Sequence, residues 1–322
     1  MKKLSFGKYL NLSRCASDQG GLSILALDHR NNLRKSFNPA SPELVSDNEL
    51  IDFKYSVTKS LSPIASAILL DPEVGVFQAI SKRALSPKTG LIISLESTGY
   101  QGNSTARVSG ILPGWSVEKS KRAGANAVKL LVYYHPKSST ASNIENLVEQ
   151  IEKECINFDI PFILEILTYS LDANGKKLTG DERKTVIIES AKRLSAIGGD
   201  LLKVEFPLDI SSAPDEKSWG NACGELSLLS HLPWVLLSAS VSYETFIKQV
   251  EIACKNGACG IAAGRSVWNE AIPLEGSQRE NFLLGESSNR LMNLSRLVDQ
   301  FGNRFSSVYE CQDAPAGIHL HY

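Results

Sequence analysis

The sequence predicts an α/β protein built as a single (β/α)8 TIM barrel. Eight short apolar, β-branched runs recur along the 322 residues, each bounded by Gly, Pro or polar turn residues. Polar segments of helix length separate them, and successive runs start 24 to 45 residues apart, room for one strand and one crossover helix. No Pro/Ser/Gly-rich linker divides the set. Eight such units point to one closed barrel domain over 1–322, with its core over about 18–275 and a C-terminal helix and tail over about 276–322.

In chain order the runs are LSILALD (22–28), AILLD (67–71), LIISLE (91–96), AVKLLVYY (127–134), PFILEILTY (161–169), LLKVEFP (201–207), WVLLSAS (234–240) and GIAAGR (260–265). Each is nearly continuously apolar, the pattern of parallel strands covered on both faces. Between the fourth and fifth, SNIENLVEQIEKECINF (142–158) puts Ile144, Leu147, Val148, Ile151 and Cys155 on one stripe, and Ser142 with Glu145 fits a capping box. Further helices begin near Asp181 and Ser242. After about residue 278 the chain reads as helix and then as an irregular end, ECQDAPAGIHLHY. An open doubly wound sheet would usually carry a glycine fingerprint after its first strand. Here that strand ends in Asp28-His29-Arg30, and neither GxGxxG nor GxxxxGK[ST] occurs.

Composition narrows the function. Lys+Arg 34 against Asp+Glu 35 leaves a net charge of -1, no field to attract nucleic acid or an acidic membrane. No apolar run reaches the roughly 18 to 20 residues of a spanning helix, and Gly7 and polar residues interrupt the N-terminus before a signal-peptide core can form. The cytosol is the expected compartment. The six cysteines contain no CxxC pair, so zinc and structural disulfides are not expected and the thiols read as small buried hydrophobes.

Three charged residues interrupt apolar strands: Lys129 in the fourth, Glu165 in the fifth and Lys203 in the sixth. An ionised side chain flanked by Val and Leu is costly to bury unless it is paired, neutralised or used. One reading is a structural Lys–Glu pair inside the barrel. The other is a site at the C-terminal strand ends, in which two lysines sharing one carboxylate leave an excess cation and depress the second amine. A neutral amine can attack a ketone, and the resulting protonated imine draws electrons from the neighbouring C–C bond while Glu165 moves protons. That route calls for no cofactor or metal. The five histidines do not cluster with carboxylates, and only His29, at the end of the first strand, is kept as a ligand contact.

LLSASVS (236–242) and AAGRSVW (262–268) end the seventh and eighth strands with small and hydroxyl residues just ahead of helices. Small side chains admit an anion to backbone N–H groups, and Arg265 can grip phosphate oxygens. Loops after strands seven and eight are the usual phosphate site of this fold. The alternative is tight strand-to-helix packing at Ala262 and Gly264, with Arg265 solvated.

Over residues 18–272 the chain resembles the class I tagatose 1,6-bisphosphate aldolases and the related 6-deoxy-6-sulfofructose-1-phosphate aldolases. The landmarks are ALDHR (26–30), SAILLDPEVG (66–75), ESTGY (96–100), AVKLLVYY, LEILTY (164–169), LLKVEFP, LSASVS (237–242) and AGRSVW (263–268). The resemblance implies that Lys203 forms the imine, that Glu165 transfers protons and that Lys129 is the second active-site lysine. It also implies a 1-phosphate site at Ser238, Gly264 and Arg265. Two departures stand out: His29 replaces the family's usual Gln in DQR, and Ser240 replaces the Gly of LSAGVS, narrowing the approach to phosphate while adding a hydroxyl. Asp28 is a candidate hydroxyl contact, and Arg30 and Arg107 are candidate contacts for the distal anion. The strand endings look closer to the tagatose branch. The expected partner is thus a phosphorylated ketose, with no nucleic acid and no membrane, and a homo-oligomer is compatible with the sequence. An isomerase or epimerase using Glu165 without an imine, and a non-catalytic sugar-phosphate sensor, are the competing classes.

Overall fold

The computed structural model describes residues 1–210, 215–239 and 241–320. Eight parallel strands close into a barrel in sequence order: β1 (Leu22–Ala26), β2 (Ala67–Leu70), β3 (Gly90–Ser94), β4 (Ala127–Tyr134), β5 (Phe162–Thr168), β6 (Leu201–Val204), β7 (Trp234–Leu237) and β8 (Gly260–Ala263). All eight apolar runs become strands, most a few residues shorter than the run because the C-terminal residues leave the ladder to build the barrel mouth.

Side chains alternate between the two faces of a strand, so one parity fills the barrel and the other packs under the helices. The inward set at the base is apolar: Leu22, Ile24, Ala67, Leu69, Ile92, Ala127, Ile163, Leu201, Val235 and Ala262 form one buried cluster, joined by Cys15 from the end of the first helix (Phe6–Arg14). The outward set, with Leu25, Ile68, Ile93, Val128, Leu164, Leu202, Leu236 and Ile261, belongs to the larger core shared with the helices. Counting up by twos from the base leads to Asp28, Lys129, Glu165 and Lys203, all on the inward parity. Register brings two of them level, since Glu165 pairs with Lys203 across β5 and β6.

Two local expectations fail. The helix after β4 runs Ala141–Asn157 from Thr140, without a side-chain cap, so Ser142 already lies inside the first turn. Glu145, freed from capping, accepts hydrogen bonds from Tyr134 Oη at 2.5 Å and Arg193 Nη2 at 2.8 Å and ties β4 to the helix Gly180–Ser195. A complete capping box forms instead at Ser46 and Glu49, ahead of the helix Asp47–Leu61. The tail is also not wholly irregular: after the helix Ser288–Phe301, Tyr309–Cys311 pairs in parallel with Lys2–Leu4. No helix among the described residues is long and apolar enough to cross a membrane.

Candidate active site

The inward parity that is apolar at the base turns titratable at the C-terminal end. Lys129, on β4, is fully buried, with Nζ 2.6 Å from Asp28 Oδ2, 2.5 Å from Glu96 Oε1 and 3.1 Å from Glu165 Oε2. Lys203, on β6, sits with Nζ 2.6 Å from Glu165 Oε1. Glu165 therefore bridges the two lysines, and its Oε2 is buried without an aligned hydrogen bond. The expected imbalance of two lysines facing one carboxylate does not occur. Asp28 and Glu96 raise the carboxylates to three, and Lys129 is neutralised by all of them.

Burial works against the charge of Lys129, but Asp28, Glu96 and Glu165 outweigh it and hold its pKa well above the ordinary lysine value. Burial would likewise raise the Asp28 carboxyl, yet Lys129 and Lys203 keep it far below the usual carboxylate range. Asp28 and Lys129 thus form a fixed ion pair. His29 behaves differently: burial pushes its pKa down to about 3 against the opposing pull of Asp28, so its imidazole is neutral. Its ring stands edge-on to Trp268 with centroids 5.3 Å apart.

Asp28, His29, Glu96, Glu165 and Lys203 line a cavity of about 300 Å³ at the barrel mouth, together with Tyr133, Glu205, Ser238, Gly264 and Arg265, whereas the fully buried Lys129 does not reach it. On the β7–β8 side, Gly264 N donates to Ser238 Oγ at 3.4 Å. A Cβ at Gly264 would meet Ala26 O at 3.1 Å and His29 Cε1 at 3.2 Å, so the glycine keeps this wall open. Burial lowers the Arg265 pKa, partly offset by Asp28. Ser240 lies outside the described residues. Arg30 lines the cavity, but its guanidinium is tied to Glu73 Oε2 at 2.5 Å and to the carbonyl of Glu96 at 2.7 Å. Arg107 does not line this cavity and belongs instead to a second one of about 250 Å³.

A family model for DeoC/LacD family aldolases matches residues 22–270, the whole circuit from β1 to just beyond β8. The chain belongs to the DeoC/LacD aldolase family. It is similar to tagatose 1,6-diphosphate aldolase 1 of Enterococcus faecalis, 34% identical over 84% of this chain and 87% of that one. A tagatose 1,6-diphosphate aldolase of Staphylococcus aureus is 33% identical over 60% of this chain and 64% of its own length. Among solved structures, an archaeal fructose-1,6-bisphosphate aldolase with its catalytic Lys covalently bound to a carbinolamine intermediate superposes with a TM-score of 0.59 at 21% identity, over 90% of this chain and 98% of that one. That last likeness establishes the shared barrel.

Within this DeoC/LacD aldolase, sequence reasoning missed Glu96 and Glu205. Glu96 Oε2 also accepts from Leu131 N at 3.0 Å. Glu205 accepts from Thr168 N at 2.9 Å and Thr168 Oγ1 at 2.8 Å, and lies 3.2 Å from Arg183 Nη2. Both follow an inward residue by two, Ser94 and Lys203, so strand parity alone would have flagged them. By contrast, Asp71 of the LLDPEVG segment is structural: it accepts from Glu73 N and Val74 N and pairs with the buried Lys54.

Proposed function

We propose that the protein is a class I aldolase that cleaves tagatose 1,6-bisphosphate to dihydroxyacetone phosphate and glyceraldehyde 3-phosphate, acting as one catalytic unit over 1–322 in the cytoplasm. The observation that carries this reading is the inward-facing amine of Lys203, 2.6 Å from a carboxylate oxygen of Glu165 in a closed barrel mouth. The names of the Enterococcus and Staphylococcus relatives support the choice of ketose.

Lys203 ammonium first passes a proton to Glu165, and the neutral amine then adds to the C2 carbonyl. The carbinolamine loses water, with Glu165 returning the proton to the departing hydroxyl, and leaves a protonated imine. Glu165 next takes the proton of the C4 hydroxyl. The C3–C4 bond breaks, its electron pair flows into the imine to form an enamine, and the aldehyde departs. Protonation at C3 and addition of water release dihydroxyacetone phosphate and restore the amine. The electron sink is the imine, so no metal enters the sequence.

Lys129 acts beside these steps as a fixed cation: it orients Glu165 Oε2 and holds Asp28 ionised to accept from a sugar hydroxyl. His29, neutral, offers a further hydrogen bond. Ser238, Ser240, Gly264 and Arg265 hold the 1-phosphate. Borohydride reduction in the presence of dihydroxyacetone phosphate is expected to leave a mass adduct on Lys203. An adduct on another residue, or none, overturns the assignment. Parallel cleavage of tagatose bisphosphate, fructose bisphosphate and sulfofructose phosphate then ranks the ketoses.

A further inference from the structure

Behind the two segments proposed to hold the 1-phosphate lies an arginine that takes no part in the steps above. Arg290, on the helix Ser288–Phe301, has a side chain 12% exposed and does not line the catalytic cavity. Its guanidinium carbon lies 5.2 Å from the ring centre of Tyr243, the first residue of the helix Tyr243–Lys255 that follows β7. Nη1 donates to the carbonyl of Ser266 at 3.4 Å and to Glu270 Oε1 at 2.7 Å, both in the segment that follows β8. Nε donates to Glu286 Oε1 at 2.9 Å, and the ring centre of Phe282 is 5.9 Å away. One planar group thus joins the segment after β7, the segment after β8 and the C-terminal helix that packs against both.

Arg265 needs such an outside hold. It begins a helix of four residues, Arg265–Trp268, too short to keep its own shape. Inside the mouth its segment meets the β7 side through the long Gly264 N to Ser238 Oγ bond, and Trp268 Nε1 ties the far end of the short helix to the carbonyl of Ala26 at 3.2 Å. The hydroxyls beside Arg290 add no fastening, since Tyr243 Oη and Ser266 Oγ are buried without a hydrogen-bond partner. Arg290 supplies what they do not.

The backbone is shaped to the same end. Phe282 and Arg290 are eight residues apart, which in a regular helix sets them about 80° off a common face. A π-helical turn, Leu283–Ser287, absorbs one residue between them and brings them to within about 20°. Ser288 Oγ, donating to the carbonyl of Leu283 at 2.8 Å, steadies that turn, which also carries Glu286.

We propose that Arg290 is a positioning residue for the reaction: it holds the segments after β7 and β8 in register, so that the guanidinium of Arg265 and the hydroxyl of Ser238 face one phosphate group. The proposal rests on the aldolase reading and adds to it a residue that acts through Arg265.

The test follows borohydride trapping on Lys203 with dihydroxyacetone phosphate and with dihydroxyacetone, which differ in the phosphate alone, beside cleavage of tagatose 1,6-bisphosphate. Arg290→Met keeps the stem and removes the charged fork. In it, the dihydroxyacetone phosphate concentration for half-maximal trapping and the KM for the bisphosphate are expected to rise about tenfold, while kcat and the adduct rate with dihydroxyacetone change less than about threefold. Arg290→Lys can reach one carboxylate but cannot also hold the Ser266 carbonyl and lie flat on Tyr243, so it should recover part of the loss. Glu270→Gln, at a half-exposed side chain, should give a smaller rise with the same selectivity for the phosphorylated ketone, and it carries the test if Arg290→Met does not fold. Equal weakening with both ketones, or unchanged half-saturation with a lowered melting temperature, overturns the positioning role. A wild type that traps neither ketone refutes the aldolase reading and this role with it. A wild type and an Arg290→Met that trap dihydroxyacetone phosphate equally well refute the positioning role alone.

Discussion

Glu165 touches both lysines, and one substitution separates its roles. Glu165→Gln keeps the shape of the bridge but cannot take a proton, so kcat is expected to fall by about 10²- to 10⁴-fold. The adduct on Lys203 should still form on long incubation, and trapping kinetics by mass spectrometry give the check. His29 makes a pH prediction. Its folded pKa of about 3 lies below the ordinary value of 6.5, so between those limits the unfolded chain binds a proton that the folded chain refuses. Stability attached to His29 is therefore intact above pH 6.5 and drains away as pH falls toward 3, at no more than about 1.4 kcal/mol per pH unit. His29→Gln removes that loss, so urea unfolding should show wild type and variant converging or crossing as pH drops from 7 to 4.5. That Lys129, Glu165 and Lys203 meet was legible in the sequence, because charges inside the apolar runs of three successive strands must find partners within the barrel. Glu96 was not, because it closes its run and reads as the first residue of a turn.

All eight barrel strands were legible, since a strand covered on both faces must be apolar on both parities and that signal is local. Helix starts were harder, because a cap depends on where the backbone enters the helix, and Ser142–Glu145 and Ser46–Glu49 match the same pattern. Only the second pair caps, with Ser46 accepting from Glu49 N and Glu49 reaching back to Ser46 N at 2.8 Å. Ser46→Ala is accordingly expected to cost about 1 kcal/mol in chemical denaturation. Ser142→Ala should stay within about 0.5 kcal/mol of wild type, as a surface change without a partner does. The strand Tyr309–Cys311 escaped notice for another reason: three residues carry almost no periodicity, and their partner is at the opposite end of the chain.

At the scale of the whole molecule, chemistry and closure occupy opposite ends of the barrel. At the base, Lys8 of the first helix reaches Asp200 Oδ2 at 2.8 Å and Glu152 Oε1 at 3.3 Å, and Tyr309 Oη donates to the carbonyl of Asp200 at 2.9 Å. Asp200 immediately precedes β6, the strand that carries Lys203, so both chain termini brace the entry to that strand. Burial raises the Asp200 pKa and Lys8 opposes the rise. Lys8→Met leaves this carboxyl without its cation, a loss of about 3 to 5 kcal/mol for a broken buried pair. With its pKa raised further, the folded variant binds a proton that the unfolded chain does not, so its stability is recovered as pH falls below the new folded value and lost again as pH rises through it. The deficit against wild type should therefore be largest at pH 7 and shrink by pH 5, measured by urea unfolding. Because the cavity is at the far end of the strands, kcat at a temperature where the variant is folded should change less than twofold. A deficit independent of pH would place the contribution of Lys8 in packing of its aliphatic stem, and a large loss of kcat would mean that the base of β6 governs the position of Lys203.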